Sequence, residues 1–180
     1  LPRQMGDGLP LPWTRDAMEP RTQVRGIYAF EEADETLPSI FLAGPTPRSE
    51  SVASWRPDAL RLIQKAQSVK PDTVPEVLIP EQRYGWQDIT PEDQYDWEHA
   101  AVDSATVLLF WIPRVMETMP GLTTNIEWGR YIESGRVVVG WPNDAERNRY
   151  LEHDAARLGL TVHHDLPSLV TAAFKMMNEL

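Results

Sequence analysis

Two glutamates, Glu127 and Glu98, are the residues whose types and positions best suit chemistry. Glu127 follows the small, polar loop 121–125, and the pattern predicts that it lies in the first turn of a helix. Backbone N–H groups at a helix start can bind an oxygen atom, and the helix dipole keeps a carboxylate there ionised. Such a carboxylate can act as a nucleophile or stabilise a positive charge. The ordinary alternative is that an acidic residue simply suits a first turn.

Glu98 is a second carboxylate, in the segment "EDQYDWEH" of a helix that precedes a predicted strand. It lies about two turns before that strand, so its side chain can point over the strand ends toward the same cleft as Glu127. Two carboxylates that flank one site suit glycosidic bond cleavage, in which one attacks or shields the anomeric carbon and the other manages a proton. The alternative is a solvated acidic helix start, because Glu92, Asp93 and Asp96 are neighbours.

Short apolar strands alternate with helices along the chain, and these elements must position the two glutamates. The predicted strands lie at Ile40–Gly44, Glu76–Glu81, Thr106–Pro113, Arg136–Pro142 and Leu160–Asp165, with a possible edge strand at Val24–Phe30. Such alternation is typical of βαβ units and a parallel sheet covered on both faces. We therefore expect an α/β fold: a single Rossmann-like (flavodoxin-like) domain with a mostly parallel five-stranded sheet between helices.

Helices are predicted between the strands from apolar residues at helical spacing. They lie at Ser54–Gln67, Gln94–Ala105, Ile126–Ser134, Asp144–Gly159 and Leu166–Leu180. In open parallel sheets, ligands bind beyond the carboxyl ends of the strands. That rule selects the loops after Gly44, Pro80 and Pro113 and the helix start near Glu127 as the expected site.

The composition predicts one domain with an extension. Residues 1–23 are rich in Pro and polar residues and have no hydrophobic period, so we expect an extended arm there, followed by one α/β domain over residues 24–180. No apolar run approaches the about 18 residues of a membrane span, and no secretory signal is visible. The chain has 0 Cys, which fits a cytoplasmic protein.

Charge and motifs exclude several classes of function. The formal net charge of −10 argues against a nucleic-acid polymer as partner, because phosphate backbones need a basic stripe. No Walker loop and no GxGxxG motif occurs, which argues against a nucleoside triphosphatase or a dehydrogenase. None of the 4 His has metal-ligand spacing with a partner, so a metal site is not expected. No other cofactor is expected either. A small molecule such as one nucleoside or nucleotide remains compatible.

Three motifs carry a family resemblance: "IFLAGP", "WE…A…ATVLLFWIP" and "PGLTTNIEWGRY…GRVVVGWP". Together, from roughly Ile40 to Pro142, they resemble the nucleoside 2-deoxyribosyltransferase-like family, whose superfamily includes nucleotide N-glycosidases. The resemblance implies a covalent mechanism: a Glu attacks C1′ of the sugar, the base departs, and a second base or water resolves the glycosyl-enzyme. Glu127 matches that nucleophile. Glu98 stands where the family has an Asp as second acid, with Asp96 as the alternative.

The resemblance also implies substrate contacts. The loop "AGPTPRS" is expected to touch the substrate, and Thr46, Arg48 and Ser49 match the groups that hold a 5′-phosphate in the nucleotide-cleaving branch. A simple Pro-rich turn is the alternative. Thr124 or Asn125 would replace an Asp that the transferases carry near the sugar hydroxyls, and Trp86 is the candidate for stacking on a base. The expected substrate-binding residues are Gly44, Pro45, Thr46, Arg48, Trp86, Asp96, Thr124 and Asn125.

The sequence therefore favours cleavage of the N-glycosidic bond of a nucleoside or nucleoside monophosphate, with transfer to a free base or to water. A non-catalytic nucleotide-binding or sensor module of the same fold is the first alternative. An interaction domain that docks through the arm at residues 1–23 is the second. The resemblance further implies a homo-oligomer, and no membrane partner is expected.

Overall fold

The computed structural model describes residues 23–67, 74–84 and 89–180. The strands are β1 (Arg25–Tyr28), β2 (Ser39–Ala43), β3 (Glu76–Ile79), β4 (Val107–Trp111), β5 (Val137–Gly140) and β6 (Val162–His163). The helices are α1 (Arg56–Gln67), α2 (Pro91–Ser104), α3 (Leu122–Tyr131), α4 (Arg149–Arg157) and α5 (Leu166–Met177). The predicted order of strands and helices is confirmed. Residues 1–22 lie outside the described ranges, so the arm at residues 1–23 stays a prediction.

The strands form one six-stranded sheet in the order β1-β3-β2-β4-β5-β6, with every pair parallel. The α/β, flavodoxin-like fold is thus confirmed, while the sheet has six strands rather than five because the possible edge strand pairs with β3. The chain passes from β2 to β3 on one side and then returns to β4 on the other. This reversal creates a crevice at the carboxyl ends of β2 and β4, where ligands of such sheets bind.

Burial on both faces explains the apolar character of the strands. Every residue of β2, β3, β4 and β5 is buried, as expected when helices cover a parallel sheet on both sides. One core packs α1 and α5 against the sheet, and the other packs α2, α3 and α4 against the opposite face. Consecutive residues of β4 alternate between the two cores, with Leu109 in the first and Leu108 in the second.

Helix α3 begins earlier than the sequence predicts. It starts at Leu122 rather than Ile126, and Gly121 precedes it in a left-handed conformation with φ of 62°. Buried Thr124 anchors this first turn, although Thr and Asn are weak helix formers. Glu127 therefore lies in the second turn, and the prediction that it lies in the first turn is wrong. The helix dipole acts mainly within the first turn, so it contributes less to the ionisation of Glu127 than expected.

Helix α2 also begins before its predicted start. It starts at Pro91 rather than Gln94, and the Thr90 side chain accepts a hydrogen bond from the Asp93 N–H to cap it. Pro91 suits the first helical position, where no N–H partner is needed. The extra turn places Gln94 inside the helix, one turn before Glu98. Within the described ranges no helix is long and apolar enough to cross a membrane.

Candidate active site

Two adjoining cavities lie at the carboxyl ends of β2 and β4. The smaller has a volume of about 240 Å³ and contains both predicted catalytic acids. Its lining residues are Gly44, Thr46, Arg48, Arg56, Pro80, Glu98, Pro120, Gly121, Leu122, Thr123, Thr124 and Glu127. The larger has a volume of about 490 Å³, which lies within the range of small-molecule sites. The two share Thr46, Pro80, Glu98 and Thr123, so they form one continuous cleft.

Glu127 reaches the smaller cavity from the second turn of α3 and is half-buried. Burial raises the pKa of its carboxyl to about 7, and the negative charge of Glu98 adds to the effect. The positive charges of Arg56 and Arg130 lower that pKa and oppose the shift only in part. Near neutral pH the side chain therefore exists in both charge states, as suits a group that gains and loses a bond or a proton.

Glu98 reaches both cavities from α2. Burial raises the pKa of its carboxyl, opposed by a hydrogen bond from Gln94 and by the positive charge of Arg56. The Gln94 Nε2 donates that bond to Glu98 Oε1 over 2.6 Å, one helical turn away. Glu98 is thus held in one orientation by its own helix, while no residue in the described ranges donates a hydrogen bond to the Glu127 side chain.

Arg56 lines the smaller cavity together with the two acids and is buried, with 1% of its surface exposed. Its guanidinium donates to the carbonyls of Leu42 and Gly44, over 3.1 Å and 2.7 Å, and to Thr46 Oγ1 over 3.0 Å. It also forms an ion pair with Glu81. Sequence reasoning missed this residue, because nothing in "SWRPD" distinguishes a buried Arg from a surface Arg at a helix start. One side chain thus fixes the loop after β2 and the loop after β3.

Gly44 lets the ends of β2 and β4 come together. Its φ is 150°, and a Cβ atom at this position would lie 2.0 Å from the Trp111 carbonyl oxygen. No other residue fits so close an approach. Trp111 itself is buried in the core. The neighbouring Pro45 is also buried, and its carbonyl accepts a hydrogen bond from Trp55 Nε1 over 3.0 Å, so it shapes the loop without lining either cavity.

The other predicted binding residues divide into two groups. Thr46, Arg48 and Thr124 line the smaller cavity, and Ser49 lines the larger one. Asp96 and Asn125 are exposed and line neither cavity. Asp96 is two residues from Glu98 on α2, so its side chain points away from the cleft that Glu98 faces. Asn125 is two residues from Glu127 on α3, and its side chain accepts a 2.6 Å hydrogen bond from Arg114 Nη2 instead. Trp86 lies outside the described residues.

The cleft residues that sequence reasoning missed include three charged or amide side chains with hydrogen-bond partners in the cleft: Arg56, Glu81 and Gln94. Gln94 carried one usable signal, since it precedes Glu98 by four residues on a predicted helix. Glu81 carried no such signal, because its partners Ser54 and Arg56 come from a different part of the chain. In the part of the chain that the structure describes, no cluster of His, Asp or Glu side chains is arranged to hold a metal ion.

Comparison with known proteins identifies a family whose model matches this chain. A family model described as nucleoside 2-deoxyribosyltransferase like matches residues 37–145, more than half of the 180-residue chain. The matched segment begins just before β2 and ends after β5, so it includes the β2 loop, Glu98 and Glu127. No curated protein gives a significant match to the chain.

Proposed function

Because the chain belongs to the nucleoside 2-deoxyribosyltransferase-like family, we propose that it cleaves the N-glycosidic bond of a nucleoside or nucleoside monophosphate. The family predicted from the motifs is confirmed, and it supplies the general chemistry. One observation supports the specific reaction: Glu98 and Glu127, on two different helices, face one cavity at the switch point of the sheet. Paired carboxylates around a sugar are the usual means of breaking a glycosidic bond.

Glu127 is the proposed nucleophile. One of its carboxylate oxygens forms a bond to C1′ of the sugar as the bond from C1′ to the base nitrogen breaks, and the bonding electrons leave with the base. The pKa of about 7 supports this role, because an ionised form is available at neutral pH and a weakly solvated carboxylate is reactive. Its side chain accepts no hydrogen bond from the described residues, so it does not have to break one before it attacks.

Glu98 is the proposed proton donor. Burial raises its pKa and so favours the protonated form, which can deliver a proton to the departing base. In the second half-reaction the resulting carboxylate takes a proton from the incoming water or base, whose oxygen or nitrogen attacks C1′ and releases Glu127. The hydrogen bond from Gln94 keeps the carboxyl in place through both steps.

The smaller cavity is the proposed sugar site. Thr46 and Arg48 line it near the loop after β2, where a hydroxyl and a guanidinium suit a sugar oxygen or a 5′-phosphate. Thr124 lines it from the first turn of α3. Because the Arg56 guanidinium already donates to four protein acceptors, Arg48 is the better cation for a ligand anion in this cavity. Stacking of the base on Trp86 stays a prediction.

The purified protein tests this proposal with a panel of nucleosides and nucleoside monophosphates, with and without a free acceptor base. Chromatography follows release of the base for the natural chain, for Glu127→Gln and for the control Glu152→Gln, an exposed Glu on α4. We expect release that Glu152→Gln retains and Glu127→Gln loses. Exchange only with an acceptor base identifies a transferase, and release into water alone identifies a hydrolase. Binding without turnover across the panel would contradict the proposal and support a sensor.

A further inference from the structure

Glu81 lines the larger cavity and has one carboxylate oxygen with no donor among the described residues. Its Oε1 accepts two hydrogen bonds, from Ser54 Oγ over 2.8 Å and from Arg56 Nη1 over 2.5 Å. No group in the described ranges donates to Oε2. The side chain keeps 19% of its surface exposed and lines the larger cavity, so the exposed part is available to a ligand. Glu81 is therefore a fixed hydrogen-bond acceptor at the wall of the cleft.

The larger cavity is the side on which a departing group would lie. Glu127 lines only the smaller cavity, whereas Glu98 lines both. A nucleophile attacks C1′ from the face opposite the departing base, and the proton donor stands next to that base. With Glu127 on one side and Glu98 between the two cavities, the base extends into the larger one. This assignment rests on the proposed function.

The charged side chains that line the larger cavity are carboxylates, which accept hydrogen bonds when ionised. Gln94 Nε2 donates to Glu98 Oε1 and to the Pro80 carbonyl, which leaves the Gln94 carbonyl oxygen as its other polar atom. Among the described residues that line this cavity, none is basic. An exocyclic amino group has two N–H donors and matches these acceptors. An oxo group in its place would set an acceptor against the Glu81 carboxylate, which is unfavourable.

We propose that Glu81 recognises the departing base by accepting a hydrogen bond from its exocyclic amino group, so that the substrates are nucleosides of amino-bearing bases. Arg56 and Ser54 act behind it as positioning residues, because they fix Oε1 and so direct Oε2 toward the base.

The substitution Glu81→Gln tests this geometry directly. Arg56 Nη1 and Ser54 Oγ both donate to the same position, so the amide oxygen must take the place of Oε1. The amide NH₂ then replaces Oε2 and presents donors to the cavity instead of an acceptor. The variant keeps the shape of the side chain but presents hydrogen-bond donors to the base where the natural chain presents an acceptor.

The experiment measures kcat/KM for base release on two matched pairs, deoxyadenosine with deoxyinosine and deoxycytidine with deoxyuridine. For at least one pair the natural chain should favour the amino partner by about 10- to 100-fold, the range expected for a hydrogen bond to a charged group. Glu81→Gln should reduce that preference at least tenfold or reverse it, while the control Glu152→Gln keeps it. The ratio is measured within one sample, so it does not depend on the fraction of protein that is folded.

Each result separates this inference from the proposed function. Base release with no preference for the amino partner, or with a preference that Glu81→Gln leaves unchanged, overturns the inference and leaves the function standing. If no nucleoside releases its base, equilibrium dialysis of free adenine against hypoxanthine and of cytosine against uracil decides the inference alone. Equal or absent binding of the two members then overturns it. If Glu81→Gln does not fold, the natural chain should still discriminate about 10-fold or more against the deoxyadenosine analogue without the amino group.

Discussion

Glu98 on α2 and Glu127 on α3 face one cavity, and the charge of Glu98 adds to the burial that raises the pKa of Glu127 to about 7. The titrations of two such acids are coupled, because ionisation of one raises the pKa of the other. Near neutral pH the pair therefore favours one carboxylate and one protonated acid, and the proposed reaction uses the form in which Glu127 is the carboxylate and Glu98 carries the proton.

The first prediction concerns the dependence of activity on pH. Base release should rise with pH as Glu127 ionises, with a midpoint near its pKa of about 7. In Glu98→Gln the neighbouring charge is absent, so the pKa of Glu127 falls and the rising limb moves to lower pH, although the rate is lower throughout. The pH profile of kcat/KM measures this shift, with Glu92→Gln on the same helix as control. A rising limb that stays in place in Glu98→Gln would show that the two acids do not interact.

The second prediction concerns stability. The pKa of Glu127 is about 7 in the folded protein and 4.5 ordinarily, so between these values the folded state binds more protons than the unfolded state. The contribution of Glu127 to stability therefore falls as pH rises through this window. At pH of about 8, Glu127→Gln should raise the free energy of unfolding by on the order of 2 kcal/mol, and at pH of about 4 by almost nothing. Urea unfolding at both pH values measures the difference, and an equal effect at both would contradict it.

The third prediction compares two arginines of α1. Arg56→Met should lower the free energy of unfolding by about 3 kcal/mol, because it leaves the Glu81 carboxylate without its cationic partner and the Gly44 carbonyl without the Arg56 donor. Arg61→Met removes only an exposed ion pair with Asp58 and should cost less than about 1 kcal/mol. Urea unfolding of both variants measures whether Arg56 stabilises the fold through its buried contacts or contributes no more than an exposed charge. Equal losses would refute the role assigned to Arg56.

The fourth prediction compares two glycines at and within α3. Gly121 has φ of 62°, and an added Cβ would lie 3.1 Å from Pro45 Cβ, so Gly121→Ala should destabilise the fold by about 1–2 kcal/mol. Gly129 lies inside the helix, and an added Cβ has no atom within 4 Å. Gly129→Ala should therefore stabilise the fold by about 0.5–1 kcal/mol. Thermal unfolding measures both signs, and a neutral Gly121→Ala would show that the left-handed turn is not required.

Much of the fold could be predicted because buried parallel strands have apolar sequences, as "VLLFW" in β4 illustrates. The start of α3 was not predictable, because Thr and Asn are weak helix formers and the first turn depends on burial of Thr124 in the folded protein. Arg56 was missed because its acceptors come from β2, the loop after it and the loop after β3, which only folding brings together. The homo-oligomer and the arm at residues 1–23 stay predictions.

The stereochemistry of the sugar product tests the central claim most directly. A glycosyl-enzyme on Glu127 requires two successive displacements at C1′, whereas direct attack by solvent requires one. With methanol as acceptor the product is a stable methyl glycoside, and proton NMR reads its configuration. We predict retention of the configuration of the nucleoside, with no product from Glu127→Gln. An inverted methyl glycoside, or product formation by Glu127→Gln at the rate of the natural chain, would contradict a covalent intermediate on Glu127.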